Sequence, residues 1–179
     1  MNALRNSLVG TALSGVLVIA VAAPSLADSA DLDGSVSVQV SKAAKLKKMR
    51  SITGNSSASQ DRWFATLGKK NKASVKKYRF TWETDGCSWG PDKFPGGYDL
   101  KFPCWRHDFG YRNYKKTVGK ATFRRDHKLR VDKAFLRDMN TVCGKHIWAD
   151  PYTKAQRKKL RKACYKGAKK YYHTVRSFN

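Results

Sequence analysis

The stretch Cys104–Tyr111, CWRHDFGY in one-letter code, concentrates side chains that can do chemistry. Taken as a helix with about 3.6 residues per turn, it places four of them on one face within a stripe of about 100°: Cys104, His107, Asp108 and Tyr111. A base, an oxygen ligand for a hard cation, a phenol and a cysteine on one face are more typical of a functional site than of a packed core.

A second carboxylate, Asp132, lies on the apolar face of a helix predicted over Leu129–Cys143. That face also carries Phe135, Leu136, Met139 and Cys143. The side chains expected to point away from it are Lys133, Arg137 and Asp138. Because burying an unpaired carboxylate is costly, Asp132 needs a partner on a neighbouring helix. His107 suits best, since a carboxylate on one imidazole nitrogen leaves the other free as a base. A lysine, an arginine or a tyrosine is the alternative partner.

Two further acidic residues indicate a calcium site. Asp85 begins the sequence Asp85-Gly86-Cys87, and Asp108 follows the candidate base. A disulfide between Cys87 and Cys104 would bring the two carboxylates together, and Gly86 could bend to offer its carbonyl. Calcium takes roughly six to eight oxygen ligands of these kinds. Without that disulfide, Asp85 followed by glycine would simply predict a turn.

Other catalytic patterns are weak or absent from the sequence. The remaining histidines lie in Lys- or Arg-rich surroundings that predict exposure: His127, His146 and His173. The sequence has no G-x-S-x-G elbow, no P-loop and no H-E-x-x-H. A base without a nearby nucleophile indicates that water is activated, with a hard cation polarising the group attacked.

The elements that position these residues follow an N-terminal leader. A short basic start, the apolar run Leu8–Ala23 and the small residues Ser25–Ala27 predict a secretory signal peptide over residues 1–27. The apolar run is short for a membrane span, and a retained anchor helix is the alternative. We therefore expect the protein to be secreted.

Two regions are predicted beyond the leader. Residues 28–56 are poor in aromatic side chains and predict a weakly ordered extension, which could be a removable pro-segment. Residues 57–179 are expected to form one compact catalytic domain. No stretch is rich in β-forming patterns, so the fold class is all-α: a small helical domain stapled by disulfides.

Within that domain, Ser88–Pro103 is rich in proline and glycine, which excludes regular structure. This loop leads to the first site helix, expected to end near Tyr114 or Lys116. A basic linker from there through His127 leads to the helix of Asp132. A last, strongly basic helix is expected over about Lys154–Phe178.

The four cysteines of an exported chain predict two disulfides, for which three pairings are possible. Pairing near neighbours, Cys87 with Cys104 and Cys143 with Cys164, would close compact loops worth about 3 kcal/mol each. A zinc site is the rival interpretation, but the spacings lack the C-x₂-C pairs typical of one.

The formal net charge is +24, and removing the leader with its single charged residue, Arg5, leaves +23. Such an excess favours an anionic partner: nucleic acid, an anionic bilayer or a polyanionic cell wall. The alternative is that the positive charge only keeps the molecules apart in solution, although a smaller net charge would be enough for that.

Three segments resemble the secreted phospholipase A2 family of prokaryotes and fungi. They are Thr84–Cys87, Cys104–Tyr114 and Arg130–Phe135, and the resemblance extends over about Ser56–Phe178. It implies two antiparallel catalytic helices and a long calcium loop.

The resemblance also implies a role for each site residue. His107 would be the general base and Asp132 its orienting partner. Asp85, the Gly86 carbonyl and Asp108 would hold Ca²⁺. In the family a larger apolar residue can occupy the Gly86 position. The implied disulfides are Cys87–Cys104 and Cys143–Cys164.

The implied function is calcium-dependent hydrolysis of the sn-2 ester of glycerophospholipids. Tyr111 could contact the substrate phosphate or serve in packing. We expect a monomer held on anionic phospholipid surfaces by Lys42–Arg50 and the last helix. Loop aromatics could insert there: Trp89, Phe94, Tyr98 and Phe102. The alternatives are a secreted basic binding protein and a cation-dependent nuclease acting on polyanions.

Overall fold

The computed structural model describes residues 40–88, 90–148 and 151–178. The predicted signal peptide and residues 28–39 of the predicted extension lie outside them. In chain order the elements are α1 (Lys42–Ile52), α2 (Ser57–Gly68), α3 (Ala73–Lys76), β1 (Lys93–Phe94), β2 (Tyr98–Asp99), α4 (Lys101–Val118), α5 (Lys120–Thr122), a π-helical turn (Phe123–His127), α6 (Lys128–Lys145) and α7 (Lys154–Ser177). The fold is therefore all-α, as expected. Within the described ranges, no helix has the length and apolar character that a membrane span requires.

Helices α4 and α6 pack side by side and run antiparallel. Arg130, early in α6, donates to the Tyr114 hydroxyl late in α4, whereas Asp138, farther along α6, meets Arg106 near the start of α4. Gly110 allows this close approach, because a Cβ at that position would lie 2.8 Å from a methyl group of the facing valine. The expected pair of antiparallel helices is confirmed.

Helix α7 covers α6, and a disulfide joins the two through Cys143 and Cys164, with a Cα–Cα distance of 5.7 Å. The second disulfide joins Cys87 in the loop to Cys104 in α4, with a Cα–Cα distance of 5.3 Å. Both are therefore the near-neighbour pairs. Their sulfurs belong to one buried cluster that also contains Phe135.

The loop before α4 contains regular structure that its composition led us to exclude. Strands β1 and β2 pair antiparallel, with Phe94 opposite Tyr98. Gly96 and Gly97 have φ values of +92° and +85°, so the glycines form the left-handed turn between the strands. Helix α4 also begins earlier than expected, at Lys101, because proline is tolerated in a first helical turn.

The predicted weakly ordered extension is wrong for its described part. Residues 42–52 form α1, whose Met49 and Ile52 are 0% exposed and belong to the core. Leu46 packs beside Met49, so apolar residues recur every third position among the lysines. The compact domain therefore includes α1 and does not begin at residue 57.

The basic linker expected before α6 is helical instead, formed by α5 and the π-helical turn. His127 ends that turn and is buried, with its ring stacked on Tyr114 at 4.4 Å between centroids. Burial lowers the pKa of His127. The prediction that this histidine is exposed is thus wrong, whereas His173 is exposed and His146 is half-buried beside Tyr98.

Candidate active site

The antiparallel packing brings His107 of α4 to Asp132 of α6. Nε2 of the imidazole lies 3.1 Å from Oδ1 of the carboxylate, which is completely buried. The ring lies against Phe135 and Tyr111, with centroid distances of 4.5 Å and 4.2 Å. Because Nε2 faces the carboxylate, Nδ1 is the nitrogen that remains available as a base.

Asp132 also accepts hydrogen bonds from a tyrosine, a lysine and an arginine, the three residue types considered above as alternative partners. Tyr111 donates to Oδ1 at 2.6 Å, and Lys128 and Arg176 donate to Oδ2 at 3.0 Å and 3.2 Å. Burial alone would raise the pKa of Asp132, but the hydrogen bonds from His107, Tyr111 and Lys128 outweigh it and hold the pKa below its usual value. The carboxylate therefore stays ionised beside the imidazole.

Neither Lys128 nor Arg176 was singled out from the sequence. A signal exists for Lys128, because it precedes Asp132 by four residues and i,i+4 pairs face each other on a helix. No local signal exists for Arg176, which arrives from the far end of α7.

A cavity of about 270 Å³ opens beside this pair. His107 and Asp108 contribute its polar groups, and Phe135 and the Cys87–Cys104 disulfide contribute apolar surface. The remaining wall is formed by the last turns of α7, through Tyr171, Thr174 and Val175, and by Phe178, which follows the helix. A partly apolar cavity with few convergent polar groups is typical of a small-molecule or lipid site.

Asp108 lines the cavity, and Asp85 lies next to it. The Asp85 N–H points to Asp108 Oδ2 at 3.3 Å, and the Thr84 hydroxyl donates to the same oxygen at 2.7 Å. Burial, and then the nearby charge of Asp85, raise the pKa of Asp108. The Asp85 carboxylate is itself held by Ser88 at 2.6 Å and by Arg112 at 2.5 Å.

Gly86 has a left-handed backbone, with φ of +72°. A Cβ there would lie 2.8 Å from Oδ1 of Asp92, the same oxygen that accepts the Cys87 N–H at 2.8 Å. Asp92 was not singled out from the sequence, although Pro91-Asp92 is a pair of turn-forming residues. A larger residue at the Gly86 position is therefore disfavoured in this chain.

Across the ranges that the structure describes, no three His, Cys, Asp or Glu side chains come together as a metal site. A cation here would need backbone oxygens and water in addition to Asp85 and Asp108. Two carboxylates and a glycine carbonyl unshielded by a side chain are hard oxygen donors, so this donor set fits calcium.

A buried ion pair involves the residue that precedes His107 in α4. Arg106, next to His107, donates to Asp138 at 2.6 Å, and the two side chains are 3% and 1% exposed. The expectation that Asp138 points away from the core is wrong. It follows Phe135 by three residues, so the buried face of α6 is broader than the apolar residues alone indicate.

Comparison with known proteins agrees with this architecture. A model of the prokaryotic phospholipase A2 family matches residues 57–179. A secretory phospholipase A2 of Arthroderma benhamiae is 44% identical over 62 residues, which cover 35% of this chain and 39% of that protein. One of Beauveria bassiana is 39% identical over 62 residues, covering 35% of this chain and 30% of that protein. The matched stretch thus spans well under half of either relative.

Proposed function

Because this chain belongs to the prokaryotic phospholipase A2 family, we propose that it hydrolyses the sn-2 ester of glycerophospholipids. In this proposal His107 is the general base, Asp132 orients it, and Ca²⁺ is the cofactor. The supporting observation is the 3.1 Å hydrogen bond between the two side chains, beside a cavity lined by Asp108, with Asp85 next to Asp108.

The reaction begins with a water molecule at Nδ1 of His107. The imidazole takes a proton from this water, and the resulting hydroxide attacks the ester carbonyl. Asp132 stabilises the imidazolium through Nε2–H and keeps the ring in place. When the intermediate collapses, the imidazolium returns the proton to the departing lysophospholipid oxygen.

Asp85, the Gly86 carbonyl and Asp108 would hold calcium. A bound calcium ion supplies a Lewis acid that polarises the ester carbonyl and a positive charge for the phosphate. To serve as a ligand, Asp85 would exchange its hydrogen bonds from Arg112 and Ser88 for the ion.

Tyr111 is better suited to hold Asp132 than to bind phosphate. Its hydroxyl donates to the carboxylate at 2.6 Å, and burial raises its pKa further above an already high value, so it remains a donor. The phosphate contact proposed for Tyr111 remains a secondary proposal. Lys115 also lines the cavity, with its ammonium 4.9 Å from the centre of the Tyr111 ring, and adds positive charge there.

The proposed partner is an anionic phospholipid surface, met by a secreted monomer. Helix α7 carries ten lysines and arginines and no acidic residue, and most of them are exposed. Tyr98 is not available for insertion because it lies in the core. Phe102 is 46% exposed and contacts Phe64, with 5.2 Å between ring centroids, so this pair offers the apolar surface.

One assay tests the proposed function. Purified protein is added to phosphatidylglycerol vesicles and, separately, to DNA, each with Ca²⁺ or with excess EGTA. We expect fatty acid release from the vesicles with Ca²⁺, none with EGTA, and intact DNA throughout. Full lipid hydrolysis in EGTA would refute the calcium requirement, and cleaved DNA would favour the nuclease alternative.

Binding to vesicles should depend on their anionic lipid and on α7. Replacing Lys158, Lys162, Lys166 and Lys169 by glutamine should weaken binding to phosphatidylglycerol vesicles at least about tenfold, because each lysine near the surface contributes up to about 1 kcal/mol. Sedimentation with vesicles of increasing anionic content measures this.

The matched control for α7 removes four charges from another face by replacing Lys69, Lys72, Lys76 and Lys77 with glutamine. These lysines are exposed around the α2–α3 turn. An equal loss in both variants would mean that total charge, and not the α7 surface, governs binding. Equal binding to neutral and anionic vesicles would contradict the proposed partner itself.

A further inference from the structure

The last turn of α7 reaches the carboxylate of the catalytic pair. Oδ1 of Asp132 accepts from His107 and Tyr111, both on α4. Oδ2 accepts from Lys128 and from Arg176, one residue before the end of α7. An ionised carboxylate has about four acceptor positions, so these four donors use all of them.

Lys128 connects the same turn of α7 to the site a second time. Its ammonium donates to the Val175 carbonyl at 2.8 Å as well as to Asp132. Val175 lines the cavity, and the next residue is Arg176. One wall of the cavity and one side of the carboxylate are therefore fixed by the same helical turn.

The Arg176 side chain is 36% exposed, whereas Lys128 is 7% exposed. A partly exposed arginine adds little to packing, and an ion pair of two solvated groups contributes little to stability. The carboxylate it meets is, however, completely buried, and its plane sets the direction of the hydrogen bond to the imidazole.

We propose that Arg176 is a positioning residue of the active site, which acts through Asp132 by fixing the plane of the carboxylate. The last turn of α7 thus supplies one of the groups that hold the His107–Asp132 pair in place. This inference rests on the proposed function, since it assigns Arg176 to the same His107–Asp132 pair.

Removing this donor leaves Lys128 alone on Oδ2, so the plane of the carboxylate is held less tightly. The imidazole is then oriented less strictly, while the residues that line the cavity are unchanged. The loss of activity should therefore appear in kcat, which reports the chemical step, and not in KM.

Kinetics of R176Q, R176K and K133Q test the proposal. Lys133 is an exposed residue of α6, outside both the cavity and the basic surface of α7, and serves as the matched control. We expect R176Q to lower kcat about tenfold with little change in KM, in line with the loss found when an outer hydrogen-bond partner of a site residue is removed. R176K should recover most of the activity, and K133Q should behave as the wild type.

A measurement without substrate separates this inference from the proposed function. In ¹⁵N-histidine-labelled protein, the Nε2 proton of His107 gives a proton resonance that is identified by its absence from H107Q. We expect a sharp signal in wild type and R176K and a broadened or shifted signal in R176Q.

The outcomes are distinguishable. An unchanged resonance in R176Q, or an unchanged kcat in an active enzyme, overturns the positioning role. A fall in the unfolding midpoint of R176Q with an unchanged resonance would assign Arg176 a structural role instead. A resonance that responds in a protein unable to hydrolyse phospholipid would support the positioning role and refute the proposed function.

Discussion

Fatty acid release from phosphatidylglycerol vesicles is expected to fall by about a thousandfold when His107 is replaced by glutamine. General base catalysis contributes a factor of this order, and a glutamine amide cannot accept a proton from water. The amide can still donate to Asp132 and fill the space beside Phe135, so the protein should fold. The release rate with saturating Ca²⁺ measures the loss.

The matched control is H173Q, since His173 is exposed on α7 and outside the cavity. It should retain the wild-type rate. The unfolding midpoint of H107Q should stay close to that of the wild type. A rate for H107Q within tenfold of the wild type would exclude His107 as the base.

The largest expected loss of stability follows from D138N. Arg106 is buried with Asp138 as its charged partner, and it also donates to the carbonyls of Ile52 and Gly54. Removing the carboxylate charge leaves a buried guanidinium without compensation, which costs about 3–5 kcal/mol of unfolding free energy. Urea denaturation, followed by circular dichroism, measures this change.

The exposed pair Arg125–Asp126 provides the comparison, because its atoms are 2.7 Å apart but lie in solvent. D126N should leave the urea midpoint unchanged. The double variant R106M/D138L should be more stable than D138N, since it removes the stranded charge. A D138N protein as stable as the wild type would show that Arg106 finds sufficient compensation elsewhere.

The parts of the site that the sequence predicts are local in the chain. His107 and Asp108 are adjacent, and Asp132 lies on a helix whose apolar period identifies its buried face. The cysteine pairs are separated by 17 and 21 residues, so pairing near neighbours gave the observed connectivity. Short separations and helical periods are visible without knowledge of the fold.

The parts that were missed depend on contacts between distant segments. Helix α1 has one apolar stripe, Leu46, Met49 and Ile52, among basic residues. Its order comes from burying Met49 and Ile52 and from the hydrogen bonds that Arg106 donates to the carbonyls of Ile52 and Gly54. Arg176 reaches Asp132 across 44 residues of sequence. No local pattern marks the contacts of Arg106 and Arg176, because each joins segments that are far apart in the sequence.

Each of the two disulfides holds one side of the candidate active site. Cys87–Cys104 ties the segment that begins at Asp85 to α4, and Cys143–Cys164 ties α7, with its cavity wall, to α6. In a reducing cytosol all four cysteines remain thiols, so neither half is covalently held. In an oxidising exterior both disulfides would form. Assembly of the two sides of the site would then be coupled to disulfide formation.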